Sequence, residues 1–86
     1  MKFTLLKVGK EELELELDEA DPTLTELLAE KLNEYDNVEF AASRWDHPLV
    51  EKPRLYLKVN KGEAMKTLKK AIEDLKKDIK KIENGL

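Results

Sequence analysis

The alternation of apolar and polar positions is most regular in the C-terminal third of the chain. Apolar side chains recur there at steps of three and four, at Met65, Leu68, Ile72, Leu75, Ile79, Ile82 and Leu86. This spacing is a heptad-like stripe on one face of a helix, and no proline interrupts it. The pattern predicts one long amphipathic helix over residues 63–85. Two alanines, Ala64 and Ala71, widen the stripe only in its first half, and a broad apolar face suits packing on a sheet.

The predicted helix is longer than the strands that the chain can build. At about 1.5 Å per residue it would measure roughly 34 Å, whereas a strand of about seven residues reaches only about 23 Å. The far end of the helix, with Leu75, Ile79 and Ile82, is therefore predicted to lie beyond the edge of the sheet and to bury against a partner.

Two segments near the N-terminus have the pattern of strands. Residues 11–18 alternate cleanly, so that leucines occupy one face and carboxylates the other. Residues 2–8 form a less regular strand, in which Leu5 and Leu6 are adjacent. Gly9-Lys10 is a turn signal between the two segments. We predict a hairpin with a loop of two to three residues.

A first helix is predicted to begin in the segment Ala20-Asp21-Pro22-Thr23, where two caps compete. Either Asp21 is the N-cap with Pro22 at the first helical position, or Thr23 is the N-cap in a capping box with Glu26. The apolar side chains that follow lie on one side of the helix, at Leu24, Leu27, Leu28, Leu32 and Tyr35. The Asp36-Asn37 pair predicts that the helix ends near residue 35.

Two more strands complete the sheet. In residues 38–46 one face is predicted to carry Val38, Phe40 and Ala42, and the other Ala41, Ser43 and Trp45. The small residues in mid-strand indicate either close approach of another backbone or helix, or room for bulky neighbours. Residues 54–60 follow a loop that contains Pro48 and Pro53. The order β-β-α-β-β-α predicts one α+β domain over residues 1–86, a four-stranded antiparallel sheet with both helices on one face.

The composition limits the domain and its compartment. A chain of 86 residues that is 41% hydrophobic forms one small core. Its stability is expected to be marginal without a cross-link or a partner. Cysteine is absent, which excludes disulfides and thiolate metal sites. The sequence has no long apolar run and no signal-peptide pattern at its N-terminus, so we expect a cytoplasmic protein with no membrane contact.

Charge is distributed unevenly but does not indicate nucleic-acid binding. Residues 1–60 hold 8 basic and 14 acidic side chains, whereas residues 61–86 hold 8 lysines and 5 acidic side chains. In the second segment the acids are interleaved with the lysines, and aromatic residues are absent. A solvated helix face explains this pattern better than a nucleic-acid interface does.

The residue types needed for catalysis are too few. His47 is the only histidine and Ser43 the only serine, four positions apart, with no glycine-rich oxyanion turn nearby. Because no cysteine or second histidine can join His47, a metal site lacks ligands. We therefore expect no catalytic residue, metal or other cofactor in this chain, and a structural or contact role for His47.

Two stretches carry a resemblance to a known family. Residues 21–28, Asp-Pro-Thr-Leu-Thr-Glu-Leu-Leu, resemble the acid-His-Thr-Leu-x-Asn-Leu-Leu opening of archaeal RNA polymerase subunit L. Val38-x-Phe-Ala-Ala, followed by His47-Pro-Leu, is similar to a strand and loop of that family. The chain departs from the family pattern at Pro22, where histidine is usual, and at Glu26, where asparagine is usual.

The resemblance implies a function in assembly. The family is related to the eleventh subunit of eukaryotic RNA polymerase II and to the dimerising part of the bacterial alpha subunit. Its members are expected to pair with an alpha-like subunit, which is designated D in archaea, and to nucleate polymerase assembly without an active site. The expectation is thus a heterodimeric, non-catalytic subunit of a DNA-directed RNA polymerase. The predicted partner-binding residues are Leu24, Leu27, Leu28, Leu32, Phe40, Ala41, His47, Leu49, Leu68, Ile72, Leu75, Ile79 and Ile82.

Two other functions compete with this expectation. A homodimer formed through the heptad stripe would self-associate at a stoichiometry of two without a partner. A small α+β enzyme would need a cluster of polar catalytic residues, and a nucleic-acid binder would need a basic patch. The sequence shows neither.

Overall fold

Four strands and two helices follow one another in the predicted order. The computed structural model describes residues 3–18, 21–47 and 49–84, with the backbone alone from residue 81. The strands are β1 Phe3–Val8, β2 Glu12–Leu17, β3 Val38–Arg44 and β4 Arg54–Val59, and the helices are α1 Thr23–Leu32 and α2 Ala64–Asn84. The α+β architecture with a long C-terminal helix is therefore confirmed.

The sheet is antiparallel with strand order β1-β2-β4-β3, so that β2 and β4 are central and β1 and β3 are edges. The two strands with the cleanest sequence alternation are the central pair. Their inward side chains are at most 1% exposed: Leu13, Leu15, Leu17, Leu55, Leu57 and Val59. Alternating burial on both strands means that only one face of the sheet is covered.

Both helices cover that one face, but they leave most of β1 uncovered, and of that strand Phe3 alone packs against the core. α1 packs mainly on β3 and β4, and α2 mainly on β4 and β2. Together they close a core to which α1 contributes Leu28 and Leu32, and α2 contributes Ala64, Leu68 and Ala71. Burial along α2 stops after this first half, because residues 76–80 are all exposed.

The first helix begins and ends differently from both predicted alternatives. Pro22 occupies the N-cap position, and no side chain caps from that position. The Asp21 carboxylate nevertheless accepts hydrogen bonds from Thr23 N at 2.9 Å and Thr23 Oγ1 at 2.7 Å. Asp21 thus satisfies the first free amide, while the Thr23–Glu26 capping box does not form. The helix ends at Leu32, earlier than predicted, and the chain continues in a turn in which Tyr35 N donates to Leu32 O at 3.1 Å.

A bulge in β3 moves Val38 to the face opposite the predicted one, whereas Phe40 and Ala42 share one face and Ala41 and Ser43 the other, as predicted. Val38 pairs with Val59, but Phe40 pairs with Lys58, because the register shifts between Val38 and Phe40. Val38 therefore packs against the core, whereas Phe40 lies 51% exposed on the opposite face of the sheet. One extra residue in a strand reverses the facing of everything after it.

Close approach of a helix explains the small residues of β3. The hydroxyl groups of Thr25 in α1 and Ser43 in β3 are hydrogen-bonded at 2.8 Å. Asn33 Nδ2, just after α1, donates to the backbone oxygen of Ala41 at 2.9 Å. The expectation that another element comes close at this point is confirmed.

Candidate partner-binding surface

Polar contacts attach one side of α2 to the end of α1. Tyr35 Oη donates to Asp74 Oδ2 at 2.5 Å, and Lys31 Nζ bonds Asp78 Oδ2 at 2.6 Å. Lys70 Nζ lies 5.0 Å from the centre of the Tyr35 ring, a cation–π distance. Burial, reinforced by Asp74, raises the pKa of Tyr35 far above its ordinary value, and the bond to Asp78 raises the pKa of Lys31. These contacts fix the rotation of α2 about its axis.

A different side of α2 carries apolar residues that face away from α1. Met65, Ile72 and Ile79 recur every seven residues, so they lie nearly above one another. At about 100° per residue this row is roughly a third of a turn from Asp78 and nearly half a turn from Asp74. Met65 and Ile72 are partly buried and pack against the core, whereas Ile79 is 44% exposed. Since α2 lies between α1 and the β1 edge, this row is on the β1 side.

The neighbouring edge strand offers more apolar surface on the same side of the sheet. Leu5 pairs with Leu15 and Val8 with Leu13, so both point toward the helix layer. They are nevertheless 48% and 58% exposed, because the helices do not cover this part of β1. We call Leu5, Val8, Ile72 and Ile79 the β1–α2 surface. Exposed apolar side chains on one side of a sheet, spread over two elements in this way, are typical of an interaction site.

The residues predicted to bind a partner divide by burial. Leu28, Leu32, Ala41 and Leu68 are 0–6% exposed and lie in the chain's own core, which corrects their assignment as contact residues. Leu24, Ile72 and Leu75 are partly buried and pack on that core. Leu75 was predicted to lie beyond the edge of the sheet, but it packs against the core instead. Leu27 and Ile79 are the exposed members on the helices, at 39% and 44%. The side chain of Ile82 lies outside the described residues.

The other predicted residues lie on different surfaces. Phe40 is on the sheet face opposite the helices, and His47 and Leu49 are in the β3–β4 loop. The loop is braced by its backbone, since His47 O accepts the amides of Val50 at 3.0 Å and Glu51 at 2.8 Å. The Trp45 indole adds a bond to Glu51 O at 2.9 Å. The predicted set therefore does not form one continuous patch.

Sequence reasoning overlooked two exposed apolar segments. Leu5 and Val8 on β1 were not predicted as contact residues, nor was Val50, which is 84% exposed beside the fully exposed Leu49. A signal for β1 was present in the adjacent pair Leu5-Leu6, because two consecutive apolar residues of a strand point to opposite faces. The register of β1 also shifts between Leu5 and Lys7.

The acidic row of β2 is neutralised within the chain. Glu12 lies 3.3 Å from Lys7 Nζ and accepts a hydrogen bond from the Tyr56 hydroxyl. The bond from Tyr56, followed by the contact with Lys7, lowers the pKa of Glu12, and the bond to Glu12 raises the pKa of Tyr56. Arg54 lies 3.6 Å from Glu14 and 3.7 Å from Glu16. The outer sheet face therefore carries acidic and basic side chains next to one another rather than a single acidic patch.

Neither a metal cluster nor a membrane span occurs in the part of the chain that the structure describes. No three of its His, Asp and Glu side chains are grouped so as to hold a metal ion. No described helix is at once long and apolar enough to cross a bilayer.

Comparison with known proteins places this geometry among polymerase subunits. The family model of the RNA polymerase Rpb3/Rpb11 dimerisation domain matches residues 12–85. DNA-directed RNA polymerase subunit Rpo11 of Pyrobaculum aerophilum is 29% identical over 85 residues, 99% of this chain and 92% of the relative. Rpo11 of Thermoplasma acidophilum is 29% identical over 68 residues, 79% of this chain and 61% of the relative. The crystal structure of subunit L from Thermoplasma acidophilum has the same fold, with a TM-score of 0.84 at 24% identity over 98% of this chain and 83% of that one.

Proposed function

This chain belongs to the RNA polymerase Rpb3/Rpb11 dimerisation-domain family, and from that premise we propose that it is a non-catalytic assembly subunit of an archaeal DNA-directed RNA polymerase. Its partner in this proposal is the alpha-like subunit of the same enzyme. The heterodimer of the two nucleates assembly of the enzyme for transcription.

The observation that supports pairing most directly is the β1–α2 surface. Its residues belong to two elements and point to the same side of the sheet, with 44–58% exposure at Leu5, Val8 and Ile79. Burial of apolar area contributes about 25 cal/mol per Å², so a partner that covers this surface gains stability that the isolated chain lacks. The contacts of Tyr35 and Lys31 with α2 hold the surface in place before the partner arrives, which lowers the ordering cost of binding.

A non-catalytic role is consistent with the side chains that the surface presents. Leucine, valine and isoleucine can bury area but cannot transfer protons or attack a substrate. His47 is exposed in the β3–β4 loop, and its backbone oxygen, rather than its ring, makes the described contacts. We propose that the chain contributes no catalytic group and no cofactor to the polymerase.

The test is co-expression with the alpha-like subunit of the same organism, followed by light scattering and thermal denaturation. We expect a one-to-one complex and a melting temperature that rises with partner concentration, because only the folded chain binds. The substitution Val8→Ser should weaken the complex, whereas Lys66→Ser, at an exposed position of α2, should not.

Two results would overturn the proposal. A folded monomer whose melt is unchanged by the alpha-like subunit would show that the surface needs no such partner. A stable dimer of this chain alone, which the alpha-like subunit does not dissociate, would favour the homodimeric alternative.

A further inference from the structure

A hollow on the outer sheet face, opposite the helices and the β1–α2 surface, is not used by the proposed pairing. It forms where Ala42 of β3 pairs directly with Tyr56 of β4, because the methyl group of Ala42 leaves space between larger neighbours. The hollow has a volume of about 420 Å³ and is bounded by Glu14, Phe40, Ala42, Arg44, Arg54 and Tyr56. Cavities of this size hold a small ligand or a few side chains of a protein segment.

One wall of the hollow is aromatic and fixed. The Phe40 and Tyr56 rings lie with centroids 5.8 Å apart at an angle of 54°, a favourable tilted arrangement. The Tyr56 hydroxyl is held by Glu12, so its ring cannot swing freely. Phe40 is 51% exposed, which leaves its ring open to an apolar side chain that enters over Ala42.

The other wall carries two arginines whose hydrogen-bonding capacity is not filled. Arg44 and Arg54 are direct cross-strand neighbours, and like charges in that position repel. The distances from Arg54 to Glu14 and Glu16, 3.6 and 3.7 Å, are ion-pair distances but too long for hydrogen bonds. The enclosed Nε of Arg54 has no hydrogen-bond partner among the described residues. Arg44 meets Asp46 at 2.9 Å, but its side chain is 77% exposed, so this pair is weak.

We propose that this hollow is a second docking site, which binds an acidic segment of another protein with an aromatic or aliphatic residue next to its Asp or Glu. The carboxylate lies between Arg44 and Arg54, where it gives their donors true hydrogen bonds and offsets their repulsion. The adjacent apolar side chain fills the space over Ala42 against Phe40. The site does not depend on the partner at the β1–α2 surface, because it is on the other face of the sheet.

A nucleic acid is the less favoured occupant of the same hollow. Aromatic rings beside arginines can also stack bases and contact phosphates. However, Glu12, Glu14, Glu16 and Glu39 lie on or beside this face, and a polyanion would have to approach all of them. A single carboxylate meets far less repulsion.

The proposal can be tested by NMR titration of the isotopically labelled full chain with the capped peptide acetyl-Gly-Asp-Phe-Gly-amide. We expect saturable shifts confined to residues 40–44 and 54–56. The peptide with Asn in place of Asp should bind about tenfold more weakly, as loss of a charge-assisted bond predicts. Arg44→Gln should weaken binding of the Asp peptide and reduce the preference for Asp over Asn, because Arg54 remains as the second donor.

A matched pair of variants separates the hollow from the rest of the face. Ala42→Leu fills the space and should abolish binding while the fold is retained, because Ala42 faces away from the core. Thr4→Leu adds a similar side chain to the same face, opposite Glu16, and should bind normally. Equal binding of the Asp and Asn peptides, shifts outside the two strands, or saturable shifts with a ten-residue oligouridine but not with the peptide would each overturn the proposal.

Discussion

Tyr35 Oη donates a hydrogen bond of 2.5 Å to Asp74 Oδ2 and so connects the turn after α1 to the middle of α2. Both residues are partly buried, and Lys70 covers the Tyr35 ring from the same helix. The contact lies where burial along α2 ends. It therefore determines the direction in which the exposed half of the helix projects.

Removal of this hydroxyl should loosen α2 without unfolding the domain. Tyr35→Phe keeps the ring but loses one partly buried hydrogen bond to a charged group, which should lower the free energy of unfolding by about 1–2 kcal/mol. Urea denaturation followed by circular dichroism measures the change. Asp74→Asn preserves an acceptor and should cost less than Tyr35→Phe. Equal stability of the Phe variant and the parent chain would show that the bond contributes nothing.

Stability should fall at alkaline pH, partly through the same residue. Burial and Asp74 raise the pKa of Tyr35 above its ordinary value of 10.0, and the Asp78 bond raises that of Lys31 above 10.5. Above pH 10 the unfolded chain loses these protons while the folded chain retains them, so the unfolded state binds fewer protons and stability declines. Below pH 10 this contribution is fully present.

The alkaline decline is measurable as the free energy of urea denaturation between about pH 8 and 11. Its slope should be smaller in Tyr35→Phe than in the parent chain. If both chains decline with the same slope, Tyr35 is not responsible.

The turn before α2 needs glycine at one position. Gly62 has φ of 82°, in the left-handed region, where a Cβ costs about 1–2 kcal/mol. Gly62→Ala should lower the free energy of unfolding by about that amount, although a Cβ there would meet nothing closer than Asn37 Nδ2 at 3.9 Å. Gly9→Ala is the control, because positive φ in the described chain is confined to Gly62. A neutral Gly62→Ala would show that the turn adopts another conformation in solution.

The fold was predictable from sequence because its central strands alternate so regularly. The rows Leu13-Leu15-Leu17 and Leu55-Leu57-Val59 define one buried face, and short connections leave few topologies. The reversal within β3 was not predictable in the same way. A bulge between Val38 and Phe40 adds one residue to the strand. The pattern of apolar and polar residues does not encode that addition.

The contact surface was only partly predictable, because apolar periodicity does not say which neighbour an apolar side chain meets. Leu27 and Leu28 are adjacent in α1, yet Leu28 is buried in the core and Leu27 is 39% exposed. In α2 the stripe continues unchanged from Leu68, which is 3% exposed, to Ile79 at 44%. The difference arises from where the sheet ends beneath the helix, which is a property of the packed structure.

The histidine of the β3–β4 loop should be dispensable for chemistry. Its backbone oxygen holds the amides of Val50 and Glu51, and His47→Gln leaves that oxygen in place. We expect polymerase assembled with the variant to transcribe at the parent rate per complex, with at most a modest loss of assembly yield. Trp45→Phe removes the indole bond to Glu51 O and should perturb the loop more. A reduced rate in a stoichiometric enzyme with His47→Gln would contradict a purely structural role.

The decisive comparison is between two glutamate substitutions on the same side of the sheet. Leu15 is fully buried opposite Leu55, so Leu15→Glu places a charge in the core and should unfold the chain, with loss of its circular dichroism spectrum. Ile79 is 44% exposed in the free chain, so Ile79→Glu should leave the spectrum unchanged. In the complex the new carboxylate would be desolvated and unpaired, and a cost of ~4 kcal/mol lowers affinity about a thousandfold.

The pair should therefore separate in two assays, circular dichroism for folding and a pull-down with the alpha-like subunit for binding. Lys80→Glu, one residue further along the exposed half of α2 and off the apolar row, is the control and should bind. If Ile79→Glu binds the alpha-like subunit normally, the far end of α2 is not part of the interface. If it instead unfolds the chain as Leu15→Glu does, the end of α2 folds back onto its own sheet in solution, because only burial in the chain's own core makes a charge at residue 79 destabilise the monomer.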